Sequence, residues 1–180
     1  MLRFGYGIAL TMVALAAGCG PNGGSTPGPQ SGEQSSPAAL AEGKAFVLAS
    51  EPAGAKGARD IRKHAKDGDE VVVVGQVGGA AKPFTEGRAS FLIVDPSLKA
   101  TSECDCPWDF CEHPKTELAA ARLSVKFVGA DGKTLKAGAK EMFGIKELTA
   151  VVVKGKVNRD DRGNVVVVAS GIFVRRVSGP

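Results

Sequence analysis

Alternation of apolar and polar side chains dominates the C-terminal two thirds of the chain. Over residues 122–128, Leu123, Val125 and Phe127 fall on one face and Arg122, Ser124 and Lys126 on the other. Residues 149–157 repeat the pattern, with Val151, Val153, Gly155 and Val157 set against Val152, Lys154 and Lys156. A period of two sends successive side chains to opposite faces, so each segment reads as a strand with one buried and one wet face. Residues 70–77 (EVVVVGQV), 89–95 (ASFLIVD) and 164–175 (NVVVVASGIFVR) are dense in β-branched residues and complete a set of five strands. Helical spacing appears twice. Ala58, Ile61 and Ala65 recur within 54–66 while Lys56, Arg59, Arg62, Lys63 and Lys66 fill other positions, and Ala139, Met142 and Phe143 share a face within 138–148. Asp67-Gly68-Asp69, Asp131-Gly132 and Arg162-Gly163-Asn164 supply turn chemistry between these elements. The short apolar segment 44–52 (KAFVLASEP) predicts an extended lead-in packed on the domain.

The order strand-strand-strand-helix-strand-strand is that of an OB-fold. The expected fold is therefore mainly β: a small five-stranded OB-fold-like Greek-key barrel, with a short helix between strands 3 and 4 and an N-terminal helix. Gly75 and Gly155 interrupt two strands, where glycine marks a bend or bulge that lets a sheet close. The likeness of VVVVGQV from Val71 to VVVKGKV from Val151 follows from barrel geometry without invoking duplication. Lys154 and Lys156 form the only basic stripe on a strand. They are the candidate basic positions of a binding face, although lysines on an edge strand also serve to discourage aggregation.

The N-terminus is of another kind, MLRFGYGIALTMVALAAGC. Arg3 precedes an apolar run over 8–17, shorter than the about 20 residues a membrane-spanning helix needs, which favours a processed signal. Ala16-Ala17-Gly18-Cys19, with Leu15 before it, resembles the lipobox of bacterial lipoproteins. That resemblance implies that residues 1–18 are a signal peptide and that Cys19 becomes acylated, making membrane lipid the first partner. Stable anchoring takes more than one acyl chain, at about 0.8 kcal/mol per buried CH₂. Residues 20–37 (GPNGGSTPGPQSGEQSSP) have no apolar period, and such composition cannot offset the entropy of ordering. With Cys19 they predict a disordered tether over 19–40, of which 18 residues would give an end-to-end distance of roughly 20–25 Å. The barrel domain is expected over 44–176, with a tail at 177–180. The expected location is the cell envelope, lipid-anchored, with the domain facing periplasm or exterior.

The formal net charge of +4 falls to about +3 without Arg3, too weak an imbalance to argue for a nucleic-acid partner. The chemistry-bearing residues concentrate instead in 102–114, SECDCPWDFCEHP. This stretch holds Cys104, Cys106 and Cys111, the cysteines left after Cys19, together with His113 and the sole tryptophan, Trp108. Three readings stand open. In an oxidising envelope Cys106–Cys111 or Cys104–Cys111 would close a short loop as a disulfide, whereas Cys104–Cys106 would be strained; one thiol is left over in any pairing. Alternatively Cys104, Cys106, Cys111 and His113 bind Zn or Cu, helped by Glu103, Asp105, Asp109 and Glu112, although four donors within ten residues crowd a tetrahedron. In the third reading the thiols stay reduced and Trp108 and Phe110 plug the loop onto the barrel.

The stretches SEPAGAKGARDIRKHAKDGDEVVVVGQVGG, FLIVDPSLKA, CPWDFC and VVVKGKVNRDDRGNVVVVASGIFVRR resemble a group of planctomycete-like bacterial envelope lipoproteins with an OB-fold-like core. The resemblance covers about residues 44–176. It implies a further cysteine where this chain has Glu112, so no pairing or ligand set transfers unchanged. A nucleic-acid-binding label for such proteins rests on fold analogy, and a fold does not carry a function. Against that label, OB-folds that bind single strands need exposed aromatics, whereas Phe91 and Phe127 fall on the core face by alternation.

The expected function is a lipid-anchored, non-catalytic binding or interaction module without a cofactor. Its partner, an envelope protein or small ligand, would sit near the loop from Cys104 to His113. A metal-binding or thiol-redox role for that loop is the alternative. No nucleophile elbow, phosphate-cradling glycine loop or zinc-protease motif supports an enzyme. Cys111 and His113 lack evident oxyanion donors, and Cys106 and Cys111 are not spaced as the Cys-x-x-Cys of redox proteins. The basic segment 54–66, with His64, reads as a solvated helix face or a surface for anionic head groups.

Overall fold

Every segment with a clear apolar period forms the element its period requires. The computed structural model describes residues 37–101 and 105–175. The signal peptide, Cys19, the tether up to residue 36, Cys104 and the tail at 177–180 lie outside the described residues. The elements are α1 (Pro37–Lys44), β1 (Lys56–Gly57), α2 (Ala58–His64), β2 (Glu70–Val77), β3 (Ser90–Val94), α3 (Lys115–Ala121), β4 (Arg122–Phe127), α4 (Ala139–Phe143), β5 (Ala150–Arg159) and β6 (Val165–Val174). A short 3₁₀ turn, Pro107–Asp109, precedes α3.

The long strands close into a barrel in the order β2-β3-β4-β6-β5, with β5 returning to β2. Neighbours are antiparallel except β4 and β6, which run parallel. With α4 between the third and fourth barrel strands, this is the OB-fold arrangement. Closure runs from Glu70↔Lys156 to Gln76↔Ala150, and β1 adds a two-residue parallel strand to β2. Because β5 is paired on both sides, it is not an edge strand. Lys154 and Lys156 are therefore not edge guards; they project outward from a fully paired strand and are exposed.

Gly155 sits at the irregularity that the sequence marks. The β5–β6 register passes from Lys154↔Gly171 to Gly155↔Ala169, leaving Ser170 as the extra residue of a bulge. A Cβ on Gly155 would press on the Val168 carbonyl and lie 2.9 Å from the Ala169 Cα. At Gly75 a Cβ would come within 2.9 Å of the Ile93 Cβ, where β3 approaches β2. The two strand glycines thus allow backbone approaches that closure demands.

Inward side chains fill the interior, among them Val73, Phe91, Ile93, Leu123, Val125, Phe127, Val153, Val167 and Ile172. Phe127 anchors one end, packing at 4.4 Å against Phe143 of α4 and edge-on at 5.2 Å against Phe46. The lead-in packs on the barrel as expected but is extended only around Val47, which bridges to Ile172 between a turn at 45–46 and bends at 49–50. The Leu48 amide donates to the Ile172 carbonyl at 2.8 Å, and the Ile172 amide to the Phe46 carbonyl at 2.7 Å. Helix α1 differs from expectation, since it begins at Pro37 inside the span assigned to the tether. Its sequence, PAALAEGK, has almost no apolar moment of its own; it packs on α4, with Gly43 leaving room for Met142.

Replacing Gly155 by Ala should lower the unfolding free energy by about 1–3 kcal/mol through overpacking. Replacing the half-exposed Val47 by Ala should change it by no more than about 0.5 kcal/mol. Denaturant unfolding of both variants measures the difference; equal midpoints would show that the bulge tolerates a side chain.

Candidate functional site: the connection between the second and third barrel strands

Between β3 and β4, residues 95–101 and 105–121 are tied down at many points. Asp95, the only buried acid among the described residues, is 7% exposed. Its carboxylate accepts the Arg59 amide at 2.8 Å and the Ser97 amide at 2.9 Å. Its own amide donates to the Ala121 carbonyl at 2.8 Å. One residue thereby joins the start of α2, the start of the connection and the end of α3. Gly57 has no Cβ to obstruct the Asp95 carboxylate. The signal in the sequence was an acid closing an apolar strand just before a proline.

Phe110 is fully buried and packs with Val94, Leu98 and Ala121, backed by Ala100, Leu118 and Leu148. This is a second apolar cluster outside the barrel. Phe110 takes φ +57°, a left-handed conformation costly for a bulky residue, at the end of the 3₁₀ turn. Burial of its ring offsets that cost. Trp108 is strapped rather than inserted: half-buried, it donates from Nε1 to the Ala81 carbonyl at 3.1 Å. Its own carbonyl accepts the Gly79 amide at 2.7 Å. Gly78 lies so close to the Trp108 carbonyl and the Phe110 ring that a Cβ there would stand 2.5 Å and 2.8 Å from them.

His113 is likewise engaged. Its Nε2–H donates to the Lys99 carbonyl at 3.0 Å, and Nδ1 lies 3.8 Å from Glu117. Glu117 in turn holds Arg59 at 2.8 Å. Glu112 accepts the Thr101 amide at 3.0 Å. Backbone amides, its own foremost and that of Thr101, hold the Glu112 carboxyl below the usual range.

The sequence-marked residues are brought together only in part. Cys111 is exposed, Cys106 is half-buried, and they are not bonded to each other, so the Cys106–Cys111 closure is not made. The 3₁₀ turn and the left-handed Phe110 stand between them. Cys104, needed for the other pairing and for the four-ligand set, lies outside the described residues. Among the described residues no group of three or more His, Cys, Asp or Glu side chains is placed to hold a metal ion. With Nε2 spent on Lys99, His113 has only Nδ1 to offer a cation. Phe91 and Phe127 are in the core and present no stacking surface. His64 pairs through Nδ1 with Asp60 at 2.8 Å on α2, away from the cysteines. Lys154 lines a separate cavity of about 480 Å³ beside α2.

The strapped loop leaves a cleft of about 400 Å³, lined by Gly79, Ala81, Cys111, His113, Leu118 and Arg122 among others. Arg122 forms part of its wall and donates to the Gly79 carbonyl at 2.6 Å. Glycine and alanine form one side of the cleft, aliphatic and polar side chains the other, as in sites where a few polar groups orient a ligand over apolar surface.

No family model matches the chain, and no curated protein matches it. Among solved structures it is similar to an OBody, AM1L10, bound to hen egg-white lysozyme. The identity is 17%, the match covers 73% of this chain and 100% of that chain, and the TM-score is 0.41.

Replacing Phe110 by Ala should cost about 3–5 kcal/mol and release the loop. Trp108, the sole tryptophan, reports it: emission should shift to the red and acrylamide quenching should rise in the native state. Unchanged emission and quenching would show that Phe110 does not hold the loop in place.

Proposed function

We propose that the protein is a lipid-anchored module of the cell envelope that binds a partner, an envelope protein or small ligand, without transforming it. Acylated Cys19 supplies the anchor, and the partner seats in the cleft beside the 95–121 connection. The observation that supports this reading is the internal build of that connection. Links between strands in small domains usually run to a few residues, and long ones tend to be functional when they are ordered. This one carries its own apolar cluster, a buried aspartate that ties three segments through its carboxylate and its amide, and a left-handed phenylalanine. Such features are what position a recognition surface on a barrel, and OB-folds use inter-strand loops in this way. The reading requires no nucleophile, base or cofactor. A thiol or Zn/Cu role for Cys104, Cys106, Cys111 and His113 has one observation in its favour, that Cys111 and His113 border the same cleft. For a nucleic-acid role, Phe91 and Phe127 offer no stacking surface, being in the core.

Two measurements test the proposal. Growth with an alkyne-tagged fatty acid should label the protein and leave it in the membrane fraction, and Cys19→Ser should abolish both. Labelling that survives Cys19→Ser refutes the anchor. A photo-crosslinking amino acid placed at Ala81, on the cleft, should give discrete adducts in intact cells, while the same group at Lys136 should not. Identical patterns from both positions would refute the cleft as the binding surface.

A further inference from the structure

A second feature also borders α3, meeting the cleft at Ala119, and no cysteine lines it. Between α2 and α3 runs a groove of about 530 Å³ lined by Arg59, Arg62, Lys63, Ala119 and Ala120. Arg122 and Arg159 stand next to it. The Arg62 Nη1 donates to the Arg122 carbonyl at 3.1 Å, and the Arg159 Nη2 reaches the Arg62 and Ala65 carbonyls at 2.7 and 3.0 Å. Three cationic side chains therefore line the groove, with the charges of Arg122 and Arg159 near that of Arg62. Glu117 of α3 is spent on Arg59 at 2.8 Å, with His113 near its other oxygen at 3.8 Å.

The remaining charges are not compensated. Among the described residues, neither Arg62 nor Lys63 forms an ion pair. Arg122 and Arg159 direct their guanidiniums at backbone carbonyls rather than carboxylates. Arg62 is half-buried; burial, followed by the nearby Arg159 and Arg122, lowers its pKa. The Arg59 Nε is shut off from solvent and has no acceptor. Half-buried guanidiniums clustered without enough counter-charge are costly, since each loses hydration and is repelled by its like-charged neighbours. Capping the end of α3 explains one donor of Arg62. It does not explain why so many cations share a groove that lacks a free acid.

We infer that this groove is a binding site for a phosphate-type oxyanion. Planar guanidiniums match phosphate oxygens two at a time. Arg62 retains donors beyond the one on the Arg122 carbonyl, and Lys63 adds an exposed ammonium at the mouth. The methyl groups of Ala119 and Ala120 make a shallow floor, so a tetrahedral anion approaches the cations without steric obstruction. A dianion suits the charge count better than a single carboxylate, because more than one positive group stays unneutralised. Phosphate of this kind is carried by soluble diphosphates and by anionic lipid head groups alike. The inference does not depend on acylation of Cys19.

The test uses the full chain carrying Cys19→Ser, so that acyl groups contribute nothing. One arm measures calorimetric binding of inorganic pyrophosphate. The other measures co-sedimentation with vesicles of phosphatidylglycerol and phosphatidylcholine against phosphatidylcholine alone. Binding in either arm should weaken about ten-fold with Arg62→Gln, and markedly with Lys63→Gln, since charge-assisted hydrogen bonds are lost. Among the described residues the Lys63 ammonium makes no hydrogen bond or ion pair, so Lys63→Gln tests the site without disturbing the α3 end. Lys136→Gln, an exposed lysine elsewhere, should bind as the parent does. Binding in the pyrophosphate arm identifies a soluble source, and binding in the vesicle arm alone identifies a head group. No binding in either arm, or equal weakening by Lys136→Gln, would overturn the inference.

Discussion

The pairing of β5 with β2 is the constraint on which the rest of the architecture rests. Seven consecutive register positions join these strands, and through them the sheet becomes a barrel with two paired neighbours for every long strand. Closure removes exposed edges and shuts the valine-rich inner faces from water. It also forces the backbone through sharp local curvature. The bulge at Gly155 and the close approach at Gly75 accommodate that curvature where a side chain would collide with the neighbouring strand. The apolar interior, the Phe127 end-packing and the placement of α4 all follow once the cylinder is closed.

Around that barrel the chain builds a second, smaller structure from the 95–121 connection. Its organising group is Asp95, whose carboxylate is desolvated but fully used by two backbone amides. A buried acid is tolerable when such donors replace its hydration. Because one of those donors belongs to Arg59, the same residue that starts the connection also positions α2. The cleft beside Trp108 and the groove beside Arg62 both border α3 and share Ala119, and Asp95 ties together the elements that frame them. A recognition surface and a charged groove share one support.

The barrel was largely legible in the sequence because alternation is a local signal. Each strand announces its buried face through residues two apart, and β2 through β6 fall within two residues of the segments read from periodicity. The burial of Phe91 and Phe127, the α4 segment and the bulge at Gly155 were legible for the same reason. Helix α3 was not, since KTELAAA has too few apolar residues to show a period and is held by Leu118 and Ala121 against a cluster assembled from distant parts. Helix α1 escaped notice likewise, sitting beside a tract whose composition argues for disorder. The cysteine loop was singled out by its rare residues, yet composition cannot say which of them touch. Phe110 is the core residue of the loop, Trp108 its strap, and His113 a donor to the Lys99 carbonyl.

Sequence alone determined the strand faces, their order along the chain and the concentration of reactive residues between strands 2 and 3. These follow from periods and counts that need no knowledge of distant neighbours. Tertiary structure decided that Lys154 and Lys156 lie on a fully paired strand, that Cys106 and Cys111 are not joined, and that Arg59, Arg62 and Lys63 meet Ala119 and Ala120 across a groove. The last of these depends on residues some 60 positions apart becoming neighbours. Closing the barrel makes that choice, and no local pattern encodes it.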